Sequence, residues 1–229
     1  MTDKGHYIVK QALSLALCLA WGLSAVAGEP QKLFNGKDLS GWSGNPDLWK
    51  VEGGVIVGST VGKKIKGNTF LVWEGGEVED FELTVEVKVE GSNNSGVQYR
   101  SSLKDPKTWR VIGYQADIHP SPNYVGMLYG EGLGRGIIAQ RGTKVTVDAE
   151  SGKPKVTGKA GEATPVNIAE WHEYKVVAKG NVLRHYVDGE LATEITDNHK
   201  KQLKSGIIAL QLHAGAPMTA SFRNIVLKK

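Results

Sequence analysis

Short apolar segments that alternate with polar residues constrain the fold of this chain more than any other feature. The clearest lies at 81–89, where every odd-numbered residue is apolar and every even-numbered residue is polar. Successive side chains of a β-strand point to opposite faces, so this segment predicts a strand with one buried face. No long stretch shows helical periodicity. The chain is therefore predicted to be all-β.

Turn residues separate the strand-like segments. Comparable runs occur at 49–57, 96–101, 114–118, 172–178, 182–187, 207–213 and 220–227. Asp188-Gly189 stands between two of them and predicts a two-residue hairpin, and Glu52-Gly53-Gly54 predicts another turn. Residues 143–165 are rich in Lys, Gly and Thr and fit either a long loop or a pair of exposed strands. Many short strands at this spacing favour a sandwich or barrel in a single domain, residues 28–229.

The first 27 residues have the order of a secretory signal peptide. Lys4 and Lys10 precede an uncharged apolar run at 12–21, and Ala25-Val26-Ala27 offers small residues at a cleavage site. We expect export to the periplasm or the medium, with no stable membrane span after cleavage. An uncleaved N-terminal anchor and a lipoprotein attached at Cys18 are the alternatives. Cys18 is the only cysteine, so the exported part has no disulfide to stabilise it.

The charge of the chain is only mildly basic. Its 28 Lys and Arg exceed its 24 Asp and Glu by four, and the basic residues are scattered along the sequence. No basic run with interleaved aromatic residues is evident. Nucleic acid is therefore not expected as a partner.

Three predicted strands each place two polar side chains on the face opposite their apolar residues. The pairs are Gln98 with Arg100, Gln115 with Asp117, and Gln211 with His213. A solvated sheet face is usually rich in Lys, Glu, Thr and Ser, whereas amides both donate and accept hydrogen bonds and suit sugar hydroxyls. We interpret this face as a carbohydrate site, with an ordinary wet face as the alternative.

Loops next to these strands add further candidates for substrate binding. They supply Asn94, Ser95, Tyr129, Glu131 and Arg135. Tyrosine faces can stack on the C–H surface of a sugar. His119 follows Asp117 by two residues, and with His213 the three could hold a divalent metal, which the sequence leaves open.

Six segments, in order along the chain, resemble the 3-keto-disaccharide hydrolase domain family. They are LFNGKDLSGW from Leu33, NSGVQYRS from Asn94, GYQADI from Gly113, LYGE from Leu128, WHEY from Trp171 and FRNI from Phe222. The resemblance implies a concanavalin A-like jelly-roll sandwich of two antiparallel sheets with its site on a concave face. It also implies hydrolysis or 1,2-elimination of glycosides oxidised at C3.

The implied chemistry needs a base near C2, an acid near the glycosidic oxygen and a group that stabilises the enolate oxygen. Asp117 and His213 are candidates for base and acid in either order, and Arg100 or a metal for the third role. Asn94, Gln98, Gln115 and Gln211 would bind hydroxyls. The E-x-D-x-E strand of retaining glucanases is absent at 77–82, which disfavours double displacement.

Two other functions fit the same face. A non-catalytic carbohydrate-binding module and a structural domain of the cell envelope could both use a sandwich with polar strands. Convergence of Asp117 and His213 in one closed cleft would favour an enzyme, and a shallow open groove would favour binding alone.

The leader-like segment predicts the N-terminus of the exported protein. N-terminal sequencing of protein recovered from the envelope or medium should begin at Gly28, because peptidase cleavage follows Ala27. Ala27→Leu places a bulky residue at the cleavage site and should leave the leader attached. Exported wild-type protein that still begins at Met1 would contradict the prediction.

Overall fold

A computed structural model describes Met1 and residues 28–229. The predicted leader therefore lies, apart from Met1, outside the described residues. In the described part, no helix is long and apolar enough to cross a membrane. The only helical turn there is the short 3₁₀ segment Pro122–Tyr124, and the rest is strands and their connections.

The described residues form seventeen strands. In chain order they are β1 (Gln31–Lys32), β2 (Trp42–Ser43), β3 (Trp49–Glu52), β4 (Val55–Ser59), β5 (Thr69–Trp73), β6 (Phe81–Gly91), β7 (Ser95–Asp105), β8 (Arg110–Ile118), β9 (Leu128–Glu131), β10 (Gly136–Ala139), β11 (Thr143–Val147), β12 (Pro154–Lys159), β13 (His172–Lys179), β14 (Val182–Val187), β15 (Glu190–Asp197), β16 (Ile207–Leu212) and β17 (Met218–Lys228).

Two sheets form a β-sandwich, as predicted. The larger has the strand order β12-β11-β15-β14-β13-β6-β17-β4-β3, with β1 added beside β17. The smaller has the order β10-β9-β8-β7-β16-β5-β2. All the pairs are antiparallel except β11 with β15, which run parallel. This pair departs from the expectation of purely antiparallel sheets, because β15 returns beside β11 after the chain has formed β13 and β14.

The core between the sheets follows the predicted alternation. Phe81, Leu83 and Val85 of β6 are at most 4% exposed, as are Leu210 and Leu212 of β16. The five belong to one apolar cluster that spans both sheets. The predicted buried face of these strands is confirmed.

The predicted turns also form. Asp188 and Gly189 both have positive φ, and the flanking Val187 and Glu190 pair directly, as a two-residue hairpin requires. Gly53 and Gly54 connect β3 to β4 in the same way. Of the two alternatives for residues 143–165, a pair of strands is correct, since β11 and β12 pair antiparallel. Every residue of β12 is exposed, whereas Val145 and Val147 of β11 are buried in the core.

A second, smaller apolar cluster covers part of the outer face of the seven-stranded sheet. Phe70, Val72, Val111 and Ala209 are buried there, with Trp109 packed against them. The β7–β8 turn is held over β5 by hydrogen bonds to its carbonyl groups at Thr108 and Trp109. The remainder of this outer face is left for the polar residues.

Truncating a core leucine tests the assignment of faces. Leu210→Ala should lower the free energy of unfolding by about 2–5 kcal/mol, since it leaves a cavity between the sheets. Leu103→Ala is the matched control: Leu103 is 40% exposed, and its truncation should cost roughly 0.5 kcal/mol. Denaturant titration of both variants gives the two values, and equal losses would contradict the assignment.

Candidate active site

A cavity of ≈ 530 Å³ lies on the outer face of the seven-stranded sheet. Its volume is in the usual range for a small-molecule site. It is lined by Asn68, Asn94, Gln115, Asp117, His119, Tyr124, Met127, Tyr129, Glu131, Ile137 and His213. Asp117 and His213 therefore both line this cavity. Tyr129 and Glu131, both predicted from the sequence, form part of its wall.

Strand parity positions the polar floor of this cavity. Tyr114, Ala116 and Ile118 of β8 point into the core, so Gln115 and Asp117 point outward. Gly96 lies opposite Asp117 in the ladder between β7 and β8. A Cβ atom at Gly96 would lie 2.4 Å from Cδ of Gln115, so only glycine lets that side chain lie across β7.

A chain of amides leads to the Asp117 carboxylate. Gln115 donates from Nε2 to Oδ2 of Asp117 at 3.0 Å. Its Oε1 accepts from Nε2 of Gln98 at 2.6 Å and from Nε2 of Gln211 at 2.7 Å. When Asp117 is ionised its carboxylate only accepts, so the Gln115 amide turns its N–H group toward Asp117 and its oxygen toward Gln98 and Gln211.

Gln98 and Gln211 are thus support residues, in contrast to the expectation that they bind hydroxyls. Both are fully buried and do not line the cavity. Oε1 of Gln98 accepts from the Ser101 hydroxyl, and Oε1 of Gln211 has no hydrogen-bond partner among the described residues. The two amides position Gln115, which does face the cavity.

Burial dominates the electrostatics of Asp117. Its side chain is almost completely enclosed, and the loss of solvation raises the pKa of the carboxyl from 3.8 to about 7. Hydrogen bonds from Asn94 and Gln115 oppose this rise, and the nearby charge of Glu131 adds to it. Asp117 is therefore poised to gain or lose a proton near neutral pH.

The two histidines of the cavity are held in different tautomers. His213 must donate from Nδ1, because its partner at 2.6 Å is the carbonyl oxygen of Ala214, so its Nε2 carries a lone pair when the ring is neutral. His119 accepts at Nδ1 from the backbone N–H of Ser121 at 2.9 Å, so its Nε2 carries the proton. Burial and the neighbouring His213 lower the pKa of His119, which favours this neutral form.

Two consecutive asparagines connect the candidate acid and base. Asn94 donates from Nδ2 to Oδ1 of Asp117 at 3.2 Å. Asn93 donates to the carbonyl oxygens of His213 and Ala214, both at 3.2 Å. This turn before β7 therefore fixes the end of β8 relative to the end of β16.

Asn68 forms two hydrogen bonds on the side of the cavity that β9 lines. Asn68, before β5, donates to the Glu131 carboxylate at 3.3 Å and accepts from the backbone N–H of Ala214 at 3.0 Å. It thereby links the wall formed by β9 to the residue after His213.

The prediction that Arg100 shares the outer face with Gln98 is wrong. The ladder between β7 and β8 shifts register after Tyr99, and Arg100 has φ of 44°, so the alternation breaks there. The buried guanidinium instead donates to the carbonyls of Glu79 and Gly180 and pairs with Asp80 at 3.1 Å. Arg100 thus joins the two sheets away from the cavity.

Ser95 and Arg135 also lie away from the cavity, contrary to their prediction as substrate-binding residues. The Ser95 hydroxyl is buried and donates to the backbone carbonyl of Gln211 at 2.7 Å. Arg135 pairs with the buried Asp197 at 2.7 Å, next to the Tyr114 hydroxyl. Both side chains stabilise the fold. They were predicted to bind substrate because they lie close in sequence to the site residues, and that proximity does not determine where a side chain points.

Some cavity residues had little signal in the sequence. Asn68 and Ile137 come from segments distant from the recognised motifs, and Met127 is an ordinary apolar residue. The sequence indicates His119 only as a metal ligand. In the described residues, no group of three or more His, Cys, Asp or Glu side chains is arranged to hold a metal ion. A neutral His119 also offers no lone pair at Nε2.

Residues 29–228 match the family model of the 3-keto-alpha-glucoside-1,2-lyase-like domain. A search of curated proteins found no match.

Several solved structures share the fold. A presumed glycosyl hydrolase from Parabacteroides distasonis ATCC 8503 is 20% identical, with a TM-score of 0.56 over 87% of this chain and 98% of its own. The carbohydrate binding module CBM66 from Bacillus subtilis is 20% identical, with a TM-score of 0.53 over 82% and 96%. The laminarinase catalytic domain from Thermotoga petrophila RKU-1 is 10% identical, with a TM-score of 0.55 over 89% and 97%. These likenesses show the concanavalin-type jelly-roll fold.

The raised pKa of Asp117 predicts a pH dependence of stability. The unfolded chain loses this proton near pH 4, whereas the folded chain keeps it until about pH 7, so unfolding in this window releases a proton. The contribution of Asp117 to the free energy of unfolding should therefore fall by about 4 kcal/mol as the pH rises from 4 to 7.

Urea titrations of wild type and Asp117→Asn at several pH values measure the pH-dependent contribution of Asp117 to the free energy of unfolding, because all other titratable groups are common to both proteins. The variant should gain stability relative to wild type as the pH rises. Parallel stability profiles would show that Asp117 has an ordinary pKa.

Proposed function

This chain belongs to the 3-keto-alpha-glucoside-1,2-lyase-like domain family, and we propose that it cleaves the glycosidic bond of 3-keto-glycosides in the cavity described above. The observation that carries the proposal is the combination of three groups in that cavity. They are a carboxyl with a pKa of about 7, an imidazole with a lone pair and an imidazole with a proton.

The substrate chemistry explains why such groups are needed. A carbonyl at C3 acidifies the hydrogen at C2, so a base can remove that proton and leave an enolate. The enolate then re-forms the ketone, a C1–C2 double bond forms, and the C1–O bond breaks as its oxygen takes a proton from an acid. Addition of water across the new double bond would give net hydrolysis.

We assign the base to His213 and the acid to Asp117. The Ala214 carbonyl holds the Nδ1–H of His213, so Nε2 can accept the C2 proton, and the imidazolium that forms is stabilised by the same hydrogen bond. Asp117 is partly protonated near neutral pH and can donate to the leaving oxygen. His119 can donate from Nε2 to the enolate oxygen, the role first expected of Arg100.

The amides of the cavity would orient the sugar. After its bond to Asp117, each of Gln115 and Asn94 retains one side-chain N–H that has no partner in the described residues. Both can donate to a sugar hydroxyl, and Glu131 can accept from one. Tyr129 is partly exposed and offers a ring to the C–H face of the sugar.

Export is part of the same proposal. The leader-like segment at 1–27 supports activity outside the cytoplasm, where large glycans are found. The absence of cysteine from residues 28–229 is compatible with a sandwich of this size, since its core extends across both sheets.

Substitution of Asp117 tests the mechanism. Asp117→Asn keeps the shape and one of the two acceptor oxygens but cannot give up a proton, so turnover of a 3-keto-α-glucoside should fall by about 10²–10⁴-fold. Asp148→Asn is the matched control, because Asp148 is an exposed carboxylate in the β11–β12 turn. It should keep wild-type turnover.

A substrate deuterated at C2 identifies the reaction. Elimination requires loss of that deuterium, whereas direct hydrolysis retains it. The proposal fails if wild-type protein binds 3-keto-glycosides but never cleaves them, as a carbohydrate-binding module would. If Asp117→Asn keeps near-full activity, Asp117 is not the acid.

A further inference from the structure

A second cleft adjoins the cavity. Its volume is ≈ 470 Å³, and its walls are formed by the β4–β5 connection and the β7–β8 turn. It is lined by Asn45, Leu48, Ile65, Lys66, Gly67, Asn68, Thr69, Asp105, Lys107, Thr108, Trp109 and Arg110. Asn68 lines both this cleft and the cavity, so the two sites are neighbours on the same face of the protein.

The two walls concentrate positive charge. Residues 60–68 and 103–110 together hold six Lys or Arg and one Asp, so their net charge exceeds the +4 of the whole chain. The sequence shows basic residues scattered along the chain, but the fold concentrates six of them at this cleft. It does so by bringing together two loops that are about 40 residues apart. Lys66, Lys107 and Arg110 reach the cleft itself.

These three cations have no acidic partner. None of them forms an ion pair within the described residues, whereas Arg100, Arg135 and Arg184 pair with carboxylates at 2.6–3.1 Å. The one acidic residue of the cleft, Asp105, accepts from the Lys107 backbone N–H and the Thr108 hydroxyl. Its carboxylate therefore stabilises the turn, and the cations remain available to an anion.

Trp109 gives the cleft an aromatic wall. The ring packs on the outer apolar cluster and donates from Nε1 to the Ser43 hydroxyl at 3.2 Å, which fixes its plane. Its backbone has φ of 49°, a conformation that costs a non-glycine residue energy and persists only where its surroundings hold it. A fixed tryptophan face beside cations and amides can bind a charged sugar.

We propose that this cleft is a second saccharide subsite, which binds an anionic sugar unit of a glycan whose 3-keto unit occupies the cavity. The inference rests on the proposed function for the identity of that neighbouring unit. The shared chemistry of the ligand is a carboxylate or sulfate group on a sugar ring, bound by Lys66, Lys107 and Arg110 over the Trp109 ring. Contact with the cavity through Asn68 favours a saccharide over nucleic acid.

Binding to the full chain tests this without any turnover. Calorimetry should compare neutral, uronate-containing and sulfated oligosaccharides of equal length, none of them oxidised at C3. The double variant Lys107→Gln with Arg110→Gln should bind the preferred acidic oligosaccharide about 10–100-fold more weakly, with neutral binding unchanged. The control Lys153→Gln with Lys155→Gln removes the same charge from the exposed β11–β12 hairpin and should leave both affinities unchanged.

Each outcome decides the proposal. Preference for uronate or for sulfate identifies the anion and supports the subsite. Equal binding of acidic and neutral oligosaccharides overturns it, as does equal binding of an acidic oligosaccharide by both double variants. Single-stranded DNA that binds as tightly as the acidic glycan overturns it as well. Turnover of a small neutral 3-keto-glucoside should be normal in the cleft variant, so loss of the subsite and failure of the proposed function are distinguishable.

Discussion

The buried carboxyl group of Asp117 is the interaction on which the site depends. Its ionised form needs donors, and Gln115 and Asn94 supply them from two different strand ends. The orientation of Gln115 then determines that of Gln98 and Gln211 beneath it. Because a buried polar group without partners is costly, these hydrogen bonds favour one arrangement of the amides beneath the cavity. A site of this kind can aim a few donors at a substrate with little reorganisation.

The core between the sheets stabilises the wall of the cavity from the other side. His185 is buried, and its ring accepts from the Tyr99 hydroxyl at 2.8 Å and donates to the Gly126 carbonyl at 3.0 Å. Thr193 donates to the same carbonyl, and burial lowers the pKa of His185 to about 4, so the ring stays neutral at physiological pH. Gly126 adjoins Met127 of the cavity wall. The strands of the seven-stranded sheet therefore pack apolar residues on their inner face and carry the polar cavity on their outer face.

Sequence alternation predicted the sandwich, its core and the outward direction of Gln115 and Asp117, since strand parity is a local property. It failed at Arg100, where a register shift that depends on the partner strand reverses the face. It could not reveal Asn68, which reaches the cavity only because β5 lies beside β16. The charged cleft depends in the same way on two loops that meet only in the folded protein. Contacts between strands, unlike alternation, need the tertiary structure.

The protonation of Asp117 also bears on whether the protein binds or reacts. A module that only binds sugar has no need of a titratable group at this position, because a neutral polar side chain avoids the cost of burying a charge. The carboxyl instead lowers stability at neutral pH, by as much as about 4 kcal/mol on the pKa shift described above. Groups kept at such a cost in a cleft are typical of sites that move protons. His213, which lines the same cavity, supplies a second group that can exchange a proton with a bound sugar, so the chemistry favours catalysis over binding alone.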